Sequence, residues 1–530
     1  MSLIPVAVVA NRETASDLLT ASSQADVAPA TATNSLIILL ASAFGNGLNY
    51  LFAIYFARVF GPVEFGLYAL GITVFNIAVL FAPLSMETAV MKFVSQRGKG
   101  DGIVSVHRTI ASGIATAAGF GVLLALGLMF SADLLADRLF AKPQLSTVLL
   151  VLALGIPFAA ISTVLLSSLQ AVGQIRSMVM IRNGVEPAGK FLLAGLAVSM
   201  GWGIHGLVGA VVAILVVSCA VSFRRLRSLT EFQFEGRAIP GSLETKAMLA
   251  FSMPLVISNL FGIIAPRSDM LVIGTYLPSQ DVAVYAAAFQ TAAVLALILS
   301  AFDAAIMHTT GELLARQEFG KLRSVSKSAS CWAFTLSLFV YVQLLLFAGD
   351  ILRLFGPAFE TGAACLVILA LGHLFASAAV SATGIVLMSG RSKTIMLNSI
   401  VIGIMLMGSN LLLVPRFGIV GAALGTSLCV AANSLLCVIE AKYAAGIIPY
   451  STEHLKPTAA AVLSVVAGYL LTSAFAGANP LLLASIVGAI YISALLGFGF
   501  DENDRQAVTN LYRQAEPMAR GLFSRVGKVR

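Results

Sequence analysis

From residue 35 to residue 499 the chain repeats one pattern: an apolar run, then a break at glycine, proline or a knot of charge. A bilayer-crossing helix needs roughly 20 mostly apolar residues, and the breaks delimit about fourteen such runs. They fall at 35–59, 66–94, 109–130, 146–170, 179–200, 204–223, 248–276, 282–307, 328–348, 362–389, 395–414, 418–439, 458–476 and 481–499. The pattern predicts an all-α polytopic membrane protein. Residues 1–34, rich in Ser, Thr and Ala, read as an unstructured tail. Residues 224–247 read as a linker between two halves, and 500–530 as a basic tail.

Those halves repeat each other. SMETAVMKF (85–93) returns as AFDAAIMHT (301–309), aligning Glu87 with Asp303 and Lys92 with His308. FGPVEFGLYALG (60–71) returns as YLPSQDVAVYAAA (276–288), LALGIPFAA (152–160) as LALGHLFAS (369–377), and GLVGA (206–210) as GIVGA (418–422). Each half, 35–223 and 248–439, holds six predicted helices. An even number starts both halves on one side of the membrane, so a pseudo-two-fold axis along the membrane normal should relate the two lobes. The last two helices, within 440–499, stand outside the repeat.

Composition agrees with the pattern and narrows the function. The 530 residues are 58% hydrophobic and 11% charged, where soluble domains carry about 25% charge. The net charge of +8 is unevenly placed: twenty-four of the 33 Lys and Arg fall on one predicted side and four on the other, with five inside spans. Basic residues resist translocation, so both tails should be cytoplasmic. The charge then faces anionic lipid head groups and not nucleic acid. Five cysteines lie in apolar runs without ligand spacing, which supports no metal site or disulfide. No cofactor motif appears, and the phosphate cradle GxxxxGK[ST] is absent. Short outer loops and the lack of an acid or histidine cluster argue against an enzyme such as a membrane glycosyltransferase or ligase.

The charges inside spans are the candidate site residues. A charge at the bilayer centre costs about 2.5–3.5 kcal/mol on insertion scales and therefore seeks a cavity, a partner or the head groups. Arg182, Glu186 and Lys190 follow i, i+4 spacing and share one helix face, with Pro187 expected to bend that helix. Arg267 and Asp269, in PRSDM (266–270), lie well inside the seventh span. Arg267 is expected to face an anionic substrate or to pair with Asp269, its guanidinium being suited to phosphate. Arg58 either joins the cavity or reaches outward to the interface. Glu87 and Asp303 are candidates for gating or ion coupling near the cytoplasmic mouth, with helix–helix packing as the alternative. Lys92 and His308 either take part there or extend to the head groups.

Two stretches carry a family resemblance. ARVFGPVEFGLYALGITVFNIAVLFAPLSMETAVMKFVSQ (57–96) resembles the first hairpin of bacterial polysaccharide flippases, which read (L/F)GPxEFGxYAL and then G/MExAxx(R/K)F. PRSDMLVIGTYLPSQDVAVYAAA (266–288) resembles their seventh helix, R-x-D-x-x-x-x-G. These flippases belong to the multidrug/oligosaccharidyl-lipid/polysaccharide superfamily. The resemblance implies fourteen helices and alternating access. It implies a substrate of undecaprenyl-diphosphate-linked oligosaccharide, carried from the inner to the outer leaflet for exopolysaccharide, capsule or O-antigen synthesis. Membrane lipids and the polymerase and export proteins of that synthesis are the expected partners. Alternatives are a cation-coupled multidrug exporter, a lipid-linked peptidoglycan precursor flippase, and a scaffold within a polysaccharide assembly complex.

Overall fold

The computed structural model describes residues 10–96, 103–230, 243–259, 267–475 and 477–498, and among these every regular element is helical. The first half comprises α1 (Ala10–Phe81), α2 (Met86–Gln96), α3 (Ile103–Leu134), α4 (Gln144–Ala153), α5 (Ile156–Ala171), α6 (Ile175–Met180), α7 (Glu186–Ser199) and α8 (Gly203–Thr230). The second comprises α9 (Leu243–Asn259), α10 (Ser268–Tyr276), α11 (Ser279–Ala315), α12 (Phe319–Arg353), α13 (Ala363–Ser377), α14 (Val380–Met388) and α15 (Ser392–Ala445). Last come α16 (Leu455–Ala474) and α17 (Pro480–Gly497). Helix α1 starts at Ala10, within the stretch expected as an unstructured tail. The basic tail 500–530 lies outside the described residues.

By length and apolarity, nine described stretches can cross a membrane, or ten if α4 and α5, bent by 41°, are one span. The difference from the fourteen predicted runs arises at identifiable places. Two of the long helices double back on themselves. Phe52 and Tyr68 would stand about 24 Å apart on a straight helix, yet their ring centroids are 6.0 Å apart. The reversal occurs at Gly61, whose φ of 73° and ψ of 177° leave helical space. That φ costs an L side chain about 1–2 kcal/mol and costs glycine nothing comparable. In α15 the reversal is at Gly418, with φ 59°. It brings Asn398 against Glu440, whose two carboxylate oxygens accept from Nδ2 at 2.8 and 2.9 Å. One other run contains a π-helical turn, Ile181–Val185, between α6 and α7, with Pro187, which has no N–H to donate, in the first turn of α7. Of the seventh run α9 and α10 are described, and residues 260–266 lie outside the described residues.

The helices pack as two lobes. In the first, α5 lies against α2, α3 and α8, and α7 against α8. In the second, α11 and α15 both lie against α13 and α14, and α12 lies against α11 and α13. The lobes meet chiefly where α1 lies along α11. Helices α16 and α17 pack on each other and on α12, where the Tyr491 hydroxyl donates to the Thr335 carbonyl at 3.0 Å. The extra pair is thus an appendage of the second lobe. We call the end that carries Lys92 and Phe251 the basic end, and the end that carries Arg58, Lys142 and Arg353 the far end.

Gly61→Ala should lower stability by about 1–2 kcal/mol through its positive φ. Gly47→Ala, at a helical glycine with open space around it, should not destabilise. Thermal unfolding of the purified chain in detergent distinguishes the two, and equal effects would remove the turn from the account.

Candidate functional site

Where α1 meets α11 the apolar packing is replaced by a seam of polar groups. Lys190, on α7, donates from Nζ to Asn49 Oδ1 at 2.5 Å, and its ammonium lies 4.3 Å from the centre of the Phe52 ring. The aromatic face stabilises the cation where water is scarce. Asn49 is also touched from the other lobe, where Gln290 Nε2 donates to its carbonyl at 3.3 Å. One residue on, the Tyr50 hydroxyl and Thr291 Oγ1 are 3.1 Å apart. Thr291 donates to the Ala287 carbonyl, which leaves Tyr50 as the donor between them. Lys190 therefore reaches the second lobe through one residue of α1.

The neighbours of Lys190 extend the seam. Glu186, one turn back, accepts from Ser218 on α8 at 2.5 Å and lies within electrostatic reach of both Lys190 and Arg182. Arg182 is exposed, and Asn183 beside it donates to Ser42 on α1 at 3.0 Å.

In the second lobe Asp269 and Arg267 part company. Asp269 is 3% exposed. Its oxygens accept from the Tyr285 hydroxyl and the Met270 amide, both at 2.6 Å, with Thr426 at 3.5 Å. It is built into its own lobe. Arg267, the residue preceding α10, stays half exposed. The two lobes use the same spacing for different chemistry: Phe52 packs on Tyr68, and Asp269, likewise sixteen residues before its partner, accepts from Tyr285.

Towards the basic end, Lys92 lies 3.7 Å from the centre of the Phe251 ring on α9 and 5.9 Å from that of Phe93. Ser252, also on α9, donates to the Ser85 carbonyl at 3.4 Å, in the break between α1 and α2. The carboxylates of Glu87 and Asp303 each keep one buried oxygen without a hydrogen-bond partner. Asp303 lies against α14, its oxygen 3.7 Å from where a side chain on Gly384 would begin. The side chain of His308, and Pro266, lie outside the described residues. Arg58 sits at the far end, donating to the carbonyls of Leu354 at 2.5 Å and Arg353 at 3.2 Å. No group of three or more His, Cys, Asp or Glu side chains suited to a metal occurs among the described residues.

The sequence pattern of the polysaccharide biosynthesis protein family matches residues 31–309, more than half of the chain. This chain belongs to that family. A second pattern, MatE, matches residues 254–411. Among curated proteins the chain is 23% identical to the probable low-salt glycan biosynthesis flippase Agl15 of Haloferax volcanii, over 76% of this chain and 82% of that protein. It is 26% identical to the succinoglycan biosynthesis transport protein ExoT of Rhizobium meliloti, over 51% of this chain and 52% of that protein. The fold resembles the lipid II flippase MurJ in an inward closed conformation, with a TM-score of 0.71, 16% identity and coverage of 91% of this chain and 99% of that one. It also resembles a multidrug resistance MATE transporter in an inward-facing conformation, with a TM-score of 0.64, 17% identity and coverage of 77% and 97%. The fold is that of the flippase superfamily expected from the two motifs.

Sequence reasoning weighed charges and passed over amides and hydroxyls. Asn49, Tyr50, Gln290, Tyr285 and Thr426 were missed, although a lone Asn or Gln within an apolar run, as in GLNYLF and AAFQTA, is itself costly in a bilayer. Asp269→Ala would remove the 2.6 Å acceptor of the fully buried Tyr285 hydroxyl and leave it only Thr426 Oγ1 at 3.4 Å. It should cost about 1–3 kcal/mol of stability, whereas Arg182→Ala, at an exposed side chain, should stay within about 0.5 kcal/mol. Unfolding in detergent reads both, and a neutral Asp269→Ala would place that carboxylate outside the packed lobe.

Proposed function

We propose that this family member is a flippase that carries undecaprenyl-diphosphate-linked oligosaccharide from the cytoplasmic to the outer leaflet by alternating access between its two lobes. The reading rests above all on the basic seam between duplicated lobes, where Lys190 bridges α7 to α1 beside α11. A diphosphate leaving water needs donors that replace its hydration. The prenyl chain stays in lipid while the head group crosses between the lobes. Arg267, half-buried at the start of α10, is the second basic side chain assigned to the diphosphate.

The basic end is cytoplasmic on this reading, as are both tails, and the membrane is the bacterial inner membrane. Transfer of about two uncompensated negative charges outward is favoured by roughly 4–5 kcal/mol per 100 mV, at about 2.3 kcal/mol per charge. Glu87 and Asp303, each with an unpartnered oxygen, are the groups available for proton or cation coupling, with Lys92 on Phe251 and His308 beside them in the gating region. The chain acts as a transporter and not as an enzyme, with a polymerase and export proteins as its downstream partners. The MatE match over 254–411 keeps a multidrug exporter as the second reading. A cationic drug calls for an open acidic site, whereas Asp269 is enclosed by Tyr285, Met270 and Thr426.

A deletion strain decides between them. Loss of one surface polysaccharide, with lipid-linked repeat units accumulating on the cytoplasmic side, is the expected result. Unchanged glycans with altered sensitivity to cationic dyes would select the exporter. Complementation with Lys190→Met or Arg267→Met should restore polysaccharide at least about tenfold less well than the parent chain, the scale of one lost charge-assisted contact. Full complementation by both would remove these residues from the pathway.

A further inference from the structure

At the far end the chain repeats a motif. DRLFAKP (137–143) and LRLFGP (352–357) both follow long helices, α3 and α12. In each the phenylalanine is sealed: Phe140 is 2% exposed and Phe355 is 0%. Each also meets the opposite lobe. Phe140, from the first lobe, approaches Gly274 of α10 so closely that a Cβ there would lie 3.3 Å from its ring. Phe355, from the second, packs edge-on against Tyr50 of α1, with ring centroids 5.6 Å apart.

A base completes each of these contacts by binding the carbonyl groups at a helix end. Lys142 Nζ donates to the carbonyls of Gly274 at 2.6 Å, Leu277 at 2.8 Å and Phe140 at 3.1 Å. The first two belong to the C-terminal turn of α10, in the opposite lobe. Arg58 of α1 donates to the carbonyls of Arg353 and Leu354, at the C-terminus of α12. Unpaired carbonyls at a helix C-terminus carry partial negative charge and attract cations. Two basic side chains of the first lobe thus hold two helix ends of the second. Burial pulls the Lys142 pKa below that of a free lysine, while its three carbonyl partners need the protonated form. Between the two contacts Gly66 presses on the start of α11: a Cβ there would come within 1.8 Å of the Ser279 carbonyl oxygen.

We infer that Arg58 and Lys142, with the paired RLF loops, form a two-point latch that holds the far end shut, and that both points must release before the lobes part there. The inference rests on the alternating-access reading and assigns a gate to it. Neither side chain is required to touch the substrate. The carbonyl acceptors cannot titrate or be exchanged by side-chain mutation, so the basic groups are the variable half of the latch.

Spin labels at Asp137→Cys and Thr361→Cys, on opposite lobes, report the far end by electron–electron distance measurement in the full chain carrying Cys219→Ser. Arg58→Gln and Lys142→Gln should each add a longer-distance population, shifting the open-to-closed ratio by about tenfold. The double variant should shift it further, and Arg58→Lys should restore most of the closed population. Gly66→Ala, a wedge that leaves both bases in place, should produce the same longer distance. Distributions unchanged in Arg58→Gln and Lys142→Gln, whether or not the wedge opens the far end, would overturn the latch. A longer distance in a protein that moves no lipid-linked oligosaccharide would support the latch and refute the flippase function.

Discussion

A bilayer interior offers no water to a charged group, and the fold is organised around that constraint at Lys190. Its ammonium sits between the Asn49 amide and the face of Phe52, both on α1. That helix also carries the principal contact between the lobes, and Gln290 of α11 binds the backbone of the same Asn49. The place where a positive charge is tolerated is therefore the place where the two halves meet. Any motion that parts α1 from α11 changes the surroundings of Lys190.

The lobes share a plan and differ in what fills it. In the first, the position sixteen residues before the buried tyrosine is Phe52, which packs on Tyr68 and holds a cation. In the second it is Asp269, whose carboxylate is consumed by Tyr285, Met270 and Thr426. Duplication thus gives two similar frames, one holding a cation against an aromatic ring and one closed by internal hydrogen bonds. The asymmetry continues towards the basic end. There α9 lies on α2 through Phe251 and Ser252, while Asp303 remains against α14 within its own lobe.

Much of this architecture can be read from the chain, and the reasons divide along physical lines. Apolar runs and the turns at Gly61 and Gly418 follow from local chemistry, so they are visible residue by residue. The repeat is visible because Glu87 and Asp303, or Pro62 and Pro278, keep their order. Partner choice is not local. Nothing in the sequence around Lys92 announces the ring beneath it, because Phe251 lies more than 150 residues on. Asp269 looks like a cavity residue until Tyr285 and Thr426 close over it. Arg58 lies one turn from the Gly61 break, and its use at the far end depends on where α12 stops. The motif FGPVEFG acquires a cause only in three dimensions: Gly61 makes the turn, and Gly66 admits the backbone of the other lobe.

Recognition of a diphosphate by this seam is the claim on which the rest stands. It is tested most directly by equilibrium binding of undecaprenyl diphosphate to the purified full chain, with undecaprenol as the uncharged comparison. The account predicts that Lys190→Met and Arg267→Met each weaken diphosphate binding about tenfold or more and leave undecaprenol binding unchanged. Equal affinity of the parent and both variants for the diphosphate would contradict it.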